Sequence, residues 1–157
     1  MNGKTMKKLS AIGIASLALC ALGLPALASE KNPVTRPGQN HGNITAVMEL
    51  ATGLCDFSDW GESTHVGRYS ATGWAQMGPT GTFIAGQGTV VAANGDTLDW
   101  EIDGTSGVIV WTGGTGRFEG ATGGFVATDI VQQPPVDNGD GTVTLRMTYI
   151  GVGELTY

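Results

Sequence analysis

Short runs of alternating apolar and polar residues, each closed by turn residues, constrain the fold of this chain more than any other feature. In residues 97–103 the apolar Leu98, Trp100 and Ile102 alternate strictly with polar neighbours. A period of two is that of a half-buried β-strand. Residues 142–150 repeat the pattern, with no accompanying helical period. The chain is therefore predicted to be all-β.

Turn signals fall between these runs. Asn94-Gly95 is the strongest two-residue hairpin signal, and further turns are predicted at 104–107 and 137–141. The predicted strands are 44–51, 64–76, 82–92, 96–103, 107–112, 123–132 and 142–152, with a short one near Leu54 or at the C-terminus. Seven or eight consecutive strands joined by short turns predict a single antiparallel up-and-down β-barrel of about eight strands, with a sandwich as the alternative.

The first residues have the three parts of a secretory signal peptide. Three lysines precede an uncharged apolar stretch at residues 9–24, and Ala26-Leu27-Ala28 suits a signal peptidase. A membrane anchor is the alternative, but the apolar run is shorter than the ~20 residues that span a bilayer. We therefore predict a signal peptide over 1–28, cleaved after Ala28, and a secreted or periplasmic protein.

The remaining chain divides into a leader and one domain. Residues 29–43 hold two prolines, two glycines and few apolar side chains, which predicts a flexible leader. The barrel domain is expected over 44–157. Five basic residues then stand against fourteen acidic ones, a net charge of −9, so nucleic acid is not an expected partner. Cys55 is the single cysteine left and is expected to be buried.

Residues 111–125 form the most distinctive stretch, WTGGTGRFEGATGGF, in which six of fifteen residues are glycine. Such a backbone turns sharply and needs positive φ at several positions. Phe118 is expected to plug one end of the barrel. Arg117 and Glu119 are predicted to be structural, with an anion-binding Arg117 as the alternative. The predicted structural motif comprises Gly113, Gly114, Gly116, Arg117, Phe118, Glu119, Gly120 and Gly123.

The segment from Thr112 to Gly123 resembles the Gly-Gly-Ser/Thr-Gly-x-Phe-Glu-Gly-Ala-x-Gly segment of allene oxide cyclases, and dirigent proteins carry a looser version. The resemblance implies a calycin-type, eight-stranded antiparallel barrel with an internal cavity, here in a bacterial secreted member. It also implies a catalytic glutamate in the first strand, which Glu49 matches by strand order. Leu98 and Trp100 replace the family's tyrosines. The resemblance is compatible with a homo-oligomer, and the oligomeric state stays open.

Five side chains are predicted to bind a ligand. His65 and Tyr69 should share one strand face, with Arg68 on the other. An imidazole and a phenol in one cavity could orient a polar ligand head or move a proton. A hydrogen-bonded pair at the rim is the alternative. Trp100 and Tyr149 complete the set.

The acidic row of β-strand 97–103 is interpreted as a solvated face. The row consists of Asp99, Glu101 and Asp103. Carboxylates at this spacing could instead hold calcium if another element completed the shell. We predict neither a metal nor another cofactor.

Several positions that are predicted to face the barrel interior carry small residues, namely Gly67, Ala71, Gly73, Gly86 and Gly88. They either leave room for a small, mainly apolar cavity or allow the strands to coil tightly. We expect a barrel that holds a small hydrophobic or phenolic compound. A cyclase, isomerase or dirigent-like protein steering a reactive intermediate is the alternative. A small outer-membrane barrel, suggested by Tyr157, is more distant, since its lumen would have to hold the acidic row, and stable membrane insertion is not expected.

Overall fold

The computed structural model describes residues 32–104 and 106–157, and within them nine strands form one antiparallel sheet. The strands are β1 (Thr35–Glu49), β2 (Leu54–Ser63), β3 (Gly67–Met77), β4 (Phe83–Ala92), β5 (Thr97–Asp103), β6 (Val108–Gly114), β7 (Thr122–Gln132), β8 (Val136–Asp137) and β9 (Thr142–Thr156). Strands β1 to β7 pair in chain order, β7 pairs with β9, and β9 pairs back with β1. The sheet closes into an eight-stranded up-and-down barrel with β8 as a short extra strand, which confirms the predicted fold over the sandwich.

The seam between β1 and β9 begins earlier than the sequence indicated. The two strands pair from Thr35 opposite Thr156 onward, and the middle of β1 also pairs with β2. Residues 35–43, part of the predicted leader 29–43, therefore form the first part of β1, and the barrel starts before residue 44. Backbone pairing with β9, joined from Asn40 onward by pairing with β2, orders a segment with few apolar side chains, which composition alone does not reveal.

Two other boundaries differ from the predicted ones. β2 extends over Leu54–Ser63, where only a short strand near Leu54 was expected. β3 begins at Gly67, and residues 64–66 form the turn that precedes it. The predicted signal peptide, residues 1–28, lies outside the described residues.

Strand β5 confirms the predicted alternation. Leu98 is fully buried and Trp100 is 6 % exposed. Glu101 and Asp103 are exposed on the outer face. This is the reverse of the arrangement that an outer-membrane barrel with an acidic lumen requires.

The glycine-rich connection after β6 closes one end of the barrel. A single 3₁₀ turn at Gly116–Phe118 places the Phe118 ring in the core, fully buried. The ring of Tyr157 packs against it edge-on, with 5.3 Å between ring centroids. Gly116 and Gly120 have positive φ values of 60° and 71°, as the sequence predicted. We call this the Phe118 end, and the opposite end, where β3 meets β4, the Phe83 end.

Arg117 links this connection to the neighbouring turns. Its Nη2 donates to the carbonyl oxygen of Val66 at 3.1 Å, and its Nε lies 3.6 Å from Oδ2 of Asp96. Its guanidinium carbon lies 4.6 Å from the centre of the Phe118 ring. The side chain of Glu119 is exposed. The contacts of Arg117 are those of a residue that stabilises the closed end.

Candidate functional site

The barrel encloses a cavity of about 130 Å³. Its wall is formed almost entirely by aliphatic and aromatic side chains, and among residues 32–104 and 106–157 no lysine, arginine or histidine lines it. Met77, Phe83 and Ile130 line it at the Phe83 end, where Phe83 and Ile130 are also solvent-exposed. The cavity therefore opens toward the Phe83 end, while Phe118 and Val66 are buried at the other end.

A cluster of three oxygen-bearing side chains interrupts the apolar wall. The hydroxyl of Tyr149 donates to Oδ2 of Asp59 at 2.8 Å, and the hydroxyl of Tyr69 donates to the same oxygen at 3.1 Å. The two hydroxyl oxygens lie 3.2 Å apart. Oδ1 of Asp59 accepts the backbone N–H of Asn43 at 2.9 Å. We call Asp59, Tyr69 and Tyr149 the carboxylate–phenol cluster.

Two glycines allow the cluster to form. Across strands β3, β2, β1 and β9, one row of paired residues reads Tyr69, Gly61, Gly42 and Tyr149. A Cβ on Gly42 would overlap the ring of Tyr149, and one on Gly61 would overlap the carbonyl oxygen of His41 and lie 3.0 Å from the Tyr69 hydroxyl. Because neither glycine has a side chain, the side chains of Tyr69 and Tyr149 extend across them from the two flanking strands. Both hydroxyls thereby reach the carboxylate of Asp59.

Burial dominates the electrostatics of the cluster. Asp59 is 6 % exposed. Loss of water raises the pKa of its carboxyl, and the hydrogen bonds from Tyr149, Tyr69 and Asn43 oppose that rise by stabilising the ionised form. Burial, and then the negative charge of Asp59, also raise the pKa of Tyr69 and Tyr149. The phenols therefore keep their protons at neutral pH and remain donors.

Aromatic rings form the rest of the wall near the cluster. The Trp100 ring stacks on that of Phe57, with 5.5 Å between the ring centroids, and the Phe125 ring stacks on that of Tyr149, with 6.1 Å between the centroids. Gly73 and Gly88 pair with each other beneath Trp100, whose Cζ2 lies 3.0 Å and 2.6 Å from where their Cβ atoms would be. The backbone carbonyl oxygens of Gln87 and Thr72 lie nearer still, so these glycines serve the close approach of β3 and β4 as well as the placement of the indole.

The structure brings three predicted ligand-binding residues together and separates the others. Tyr69, Trp100 and Tyr149 line the cavity. His65 lies in the turn before β3, where its Nε2 is 2.7 Å from the carbonyl oxygen of Pro37, so it shares no strand face with Tyr69 because the turn interrupts the alternation.

Two further predicted residues lie outside the cavity wall. Arg68 is exposed on β3. Glu49 is exposed at the end of β1, where its Oε2 accepts the hydroxyl of Thr52 at 2.9 Å. The interior carboxylate of this barrel is Asp59.

Sequence reasoning missed Asp59 because β2 was scarcely recognised. A signal was present, since Cys55, Phe57 and Asp59 alternate and so share one face. Cys55 is 3 % exposed, which confirms its predicted burial. A carboxylate that alternates with two apolar residues, and so lies on their face of the strand, is the pattern that would have located the cluster.

No family model matches the chain, and no curated protein matches it. Within the described ranges, no group of three or more histidine, cysteine, aspartate or glutamate side chains is arranged to hold a metal. The same residues contain no helix with the length and apolar character that a membrane crossing requires.

Proposed function

We propose that this protein is a ligand-binding barrel that holds a small hydrophobic or phenolic compound in its internal cavity. The observation that carries the proposal is an apolar cavity with a single carboxylate–phenol cluster in its wall. Small-molecule sites generally combine an apolar wall with a few placed polar groups that orient the ligand. In this barrel the polar head would lie at the cluster and the apolar body would point toward the Phe83 end.

The size of the cavity limits the ligand. An apolar cavity of ~150 Å³ accommodates one benzene ring, and the cavity here is about 130 Å³. One aromatic or alicyclic ring therefore fills the enclosed space. A longer molecule would have to extend past Phe83 and Ile130, whose exposed side chains would cover its tail.

Native mass spectrometry of the protein purified from its own host tests this proposal. A ligand-bound species that reverts to the unliganded mass after mild denaturation supports it. The ligand, once released, should rebind to the refolded protein in a one-to-one ratio. Repeated recovery of the protein without ligand, together with no binding of any small aromatic compound, would overturn it.

A second candidate, an isomerase or cyclase, is favoured by the chemistry of the cluster. A buried carboxylate with a raised pKa is suited to removing a proton from a bound substrate. Asp59 is better placed for this than Glu49, because it lines the cavity while Glu49 is exposed. Enzyme-dependent exchange of α-hydrogens of a small cyclic ketone in D₂O, lost in Asp59→Asn, would establish this activity.

Family membership and export also remain proposals. The closed eight-stranded barrel and its cavity agree with what the resemblance to allene oxide cyclases and dirigent proteins implies for fold, and this supports a common architecture. Export is supported by the charge and apolar pattern of the first 28 residues. Mass measurement of the protein from the periplasm or the medium should find an N-terminus at Ser29.

A further inference from the structure

We propose that the carboxylate–phenol cluster selects ligands that carry a hydroxyl hydrogen, such as phenols and alcohols, over ligands of the same shape whose oxygen only accepts. This inference rests on the proposed ligand-binding function and adds the chemical class of the ligand head. It follows from counting hydrogens in the cluster.

Both phenol hydrogens are already used within the cluster. Tyr69 and Tyr149 each have one hydroxyl hydrogen, and both hydroxyls donate to Oδ2 of Asp59, at 3.1 Å and 2.8 Å. One oxygen that accepts two such hydrogen bonds has the geometry of an ionised carboxylate. Because no hydrogen is left for the 3.2 Å contact between the phenol oxygens, each oxygen retains acceptor capacity.

The backbone N–H groups of Asn43 and Trp60 also donate to Asp59 and are therefore not available to a ligand. Oδ1 accepts the backbone N–H of Asn43 at 2.9 Å. In the part of the chain that the structure describes, the cavity lining contains no lysine, arginine or histidine that could supply a hydrogen. A ligand that meets the cluster therefore finds acceptors, and it must bring the hydrogen itself.

Two polar side chains beside the cluster complement a hydroxyl head. Asn40 and Ser63 pair with each other two positions from Gly42 and Gly61, and both line the cavity. Their N–H and O–H groups can donate to the lone pairs of a ligand oxygen. A hydroxyl can donate to the cluster and accept from this pair at once, whereas an ether or ketone oxygen can only accept.

Dry surroundings should make this difference large. A buried polar group that loses its partner forfeits its hydration without replacement, and sites built to pair a hydroxyl reject analogues that lack it. We expect a hydroxyl ligand to bind at least tenfold more tightly than an acceptor-only analogue of similar size.

Isothermal titration calorimetry with phenol, anisole and toluene tests the selection. These ligands share one ring and differ in whether the substituent donates, only accepts, or does neither. The expected order has phenol at least tenfold tighter than both others, because anisole can accept from Asn40 or Ser63 but cannot donate to the cluster, and toluene can do neither. Equal binding of all three would overturn the selection while leaving the proposed function standing, and no binding of any of them would overturn both.

Two substitutions test whether the carboxylate–phenol cluster causes the preference for phenol. Asp59→Asn replaces an acceptor with an amide that donates, so the preference for phenol over anisole should fall below threefold. Asp99→Asn makes the same chemical change on the opposite face of the wall, where Asp99 accepts the Thr89 hydroxyl at 2.8 Å, and the preference should persist. An unchanged preference in a folded Asp59→Asn protein would overturn the assignment.

Tyr69→Phe provides an independent test should Asp59→Asn fail to fold. Loss of this hydroxyl leaves one acceptor position on Oδ2 of Asp59 open to the ligand. A ligand hydroxyl can then donate directly to the carboxylate, and charge-assisted hydrogen bonds are the stronger kind. The preference for phenol over anisole should therefore be kept or increased, and its disappearance would contradict the hydrogen count.

Discussion

The hydroxyl oxygens of Tyr69 and Tyr149 lie 3.2 Å apart, although the two residues are separated by 80 positions and stand on strands β3 and β9. Two strands lie between them in the barrel, and the residues facing them there are Gly61 and Gly42. The meeting of the phenols therefore depends on two missing side chains as much as on the tyrosines themselves.

Gly42→Ala should separate the phenols and destabilise the barrel. The added Cβ would overlap the ring of Tyr149, which is buried and stacks on Phe125. Overpacking of this kind costs about 1–3 kcal/mol. Urea unfolding should show a lower midpoint, and the affinity for phenol should fall in the folded fraction.

Gly78→Ala is the matched control. Its Cβ would lie 3.3 Å from Cδ1 of Ile84, the end of a flexible side chain, and its φ is not positive. We expect a change in unfolding free energy below that of Gly42→Ala and unchanged phenol affinity. Equal loss in both variants would show that the glycine opposite Tyr149 has no special role.

The free energy of unfolding of the wild type, compared with that of Asp59→Asn, should increase as the pH falls. Burial raises the pKa of its carboxyl in the folded state. The folded protein then binds more protons than the unfolded chain between the unfolded pKa of ~3.9 and the raised folded pKa. The stabilising contribution is fully present below that window and is lost as the pH rises through the folded pKa.

Thermal unfolding of the two proteins at pH 4 and pH 7 measures this effect. The melting temperature of the wild type minus that of Asp59→Asn should be larger at pH 4. Asp140 supplies a control of opposite sign, because hydrogen bonds from Thr142 lower the pKa of its carboxyl. The contribution of Asp140 is present at pH 7, is still largely present at pH 4 and is lost as the pH falls below the unfolded pKa of ~3.9. The wild type minus Asp140→Asn difference should therefore not grow between pH 7 and pH 4, and growth for both variants would refute the account.

Arg117→Ala should lower stability without removing ligand binding. The variant leaves the Val66 carbonyl oxygen without the donor that lies 3.1 Å away in the wild type. Loss of a hydrogen bond to a charged group costs about 1–3 kcal/mol. The melting temperature should fall, with phenol affinity unchanged in the folded fraction.

Arg146→Ala removes the same charge from an exposed position on β9 and should change the melting temperature little. If Arg117→Ala kept full stability and lost an anionic ligand instead, Arg117 would belong to a binding site. The Phe118 end would then have to be reassigned as the mouth.

Tryptophan fluorescence should report on ligand in the cavity. Trp100 and Trp111 line it, whereas Trp60 and Trp74 do not, and Trp60 is 64 % exposed. A bound phenol should quench or shift the emission of the first pair only. The double variant Trp60→Phe/Trp74→Phe should therefore keep the full ligand-induced change per molecule, and loss of that change would place the ligand on the outer surface.

Local pattern was enough to predict the class of fold. Strict alternation over Leu98, Trp100 and Ile102, with an Asn94-Gly95 turn before it, predicted strand, hairpin and inward face correctly. The burial of Phe118 followed from its being the one large apolar group in a glycine-rich connection. These features depend on neighbours in sequence.

The parts that sequence reasoning missed depend on neighbours across the barrel. The first part of β1 is ordered by pairing with β9, more than a hundred residues away. The alternation of Cys55, Phe57 and Asp59 indicates an inward carboxyl, but its hydrogen-bond partners Tyr69 and Tyr149 come from two other strands and are not evident from the sequence. Likewise, the sequence does not show that Gly42 and Gly61 lie between Tyr69 and Tyr149, because that row is formed by pairing across four strands.

Filling the cavity tests the central claim most directly. Ala71 is buried, lines the cavity and pairs with Asp59 across β2 and β3, so the side chain of Ala71→Leu would occupy the space beside the cluster. Calorimetric titration of phenol into the wild type and into folded Ala71→Leu compares the two at equal concentration. The account predicts one-to-one binding by the wild type and at least tenfold weaker binding by the variant. Equal binding by both proteins, or no binding by the wild type, would contradict a ligand site inside this barrel.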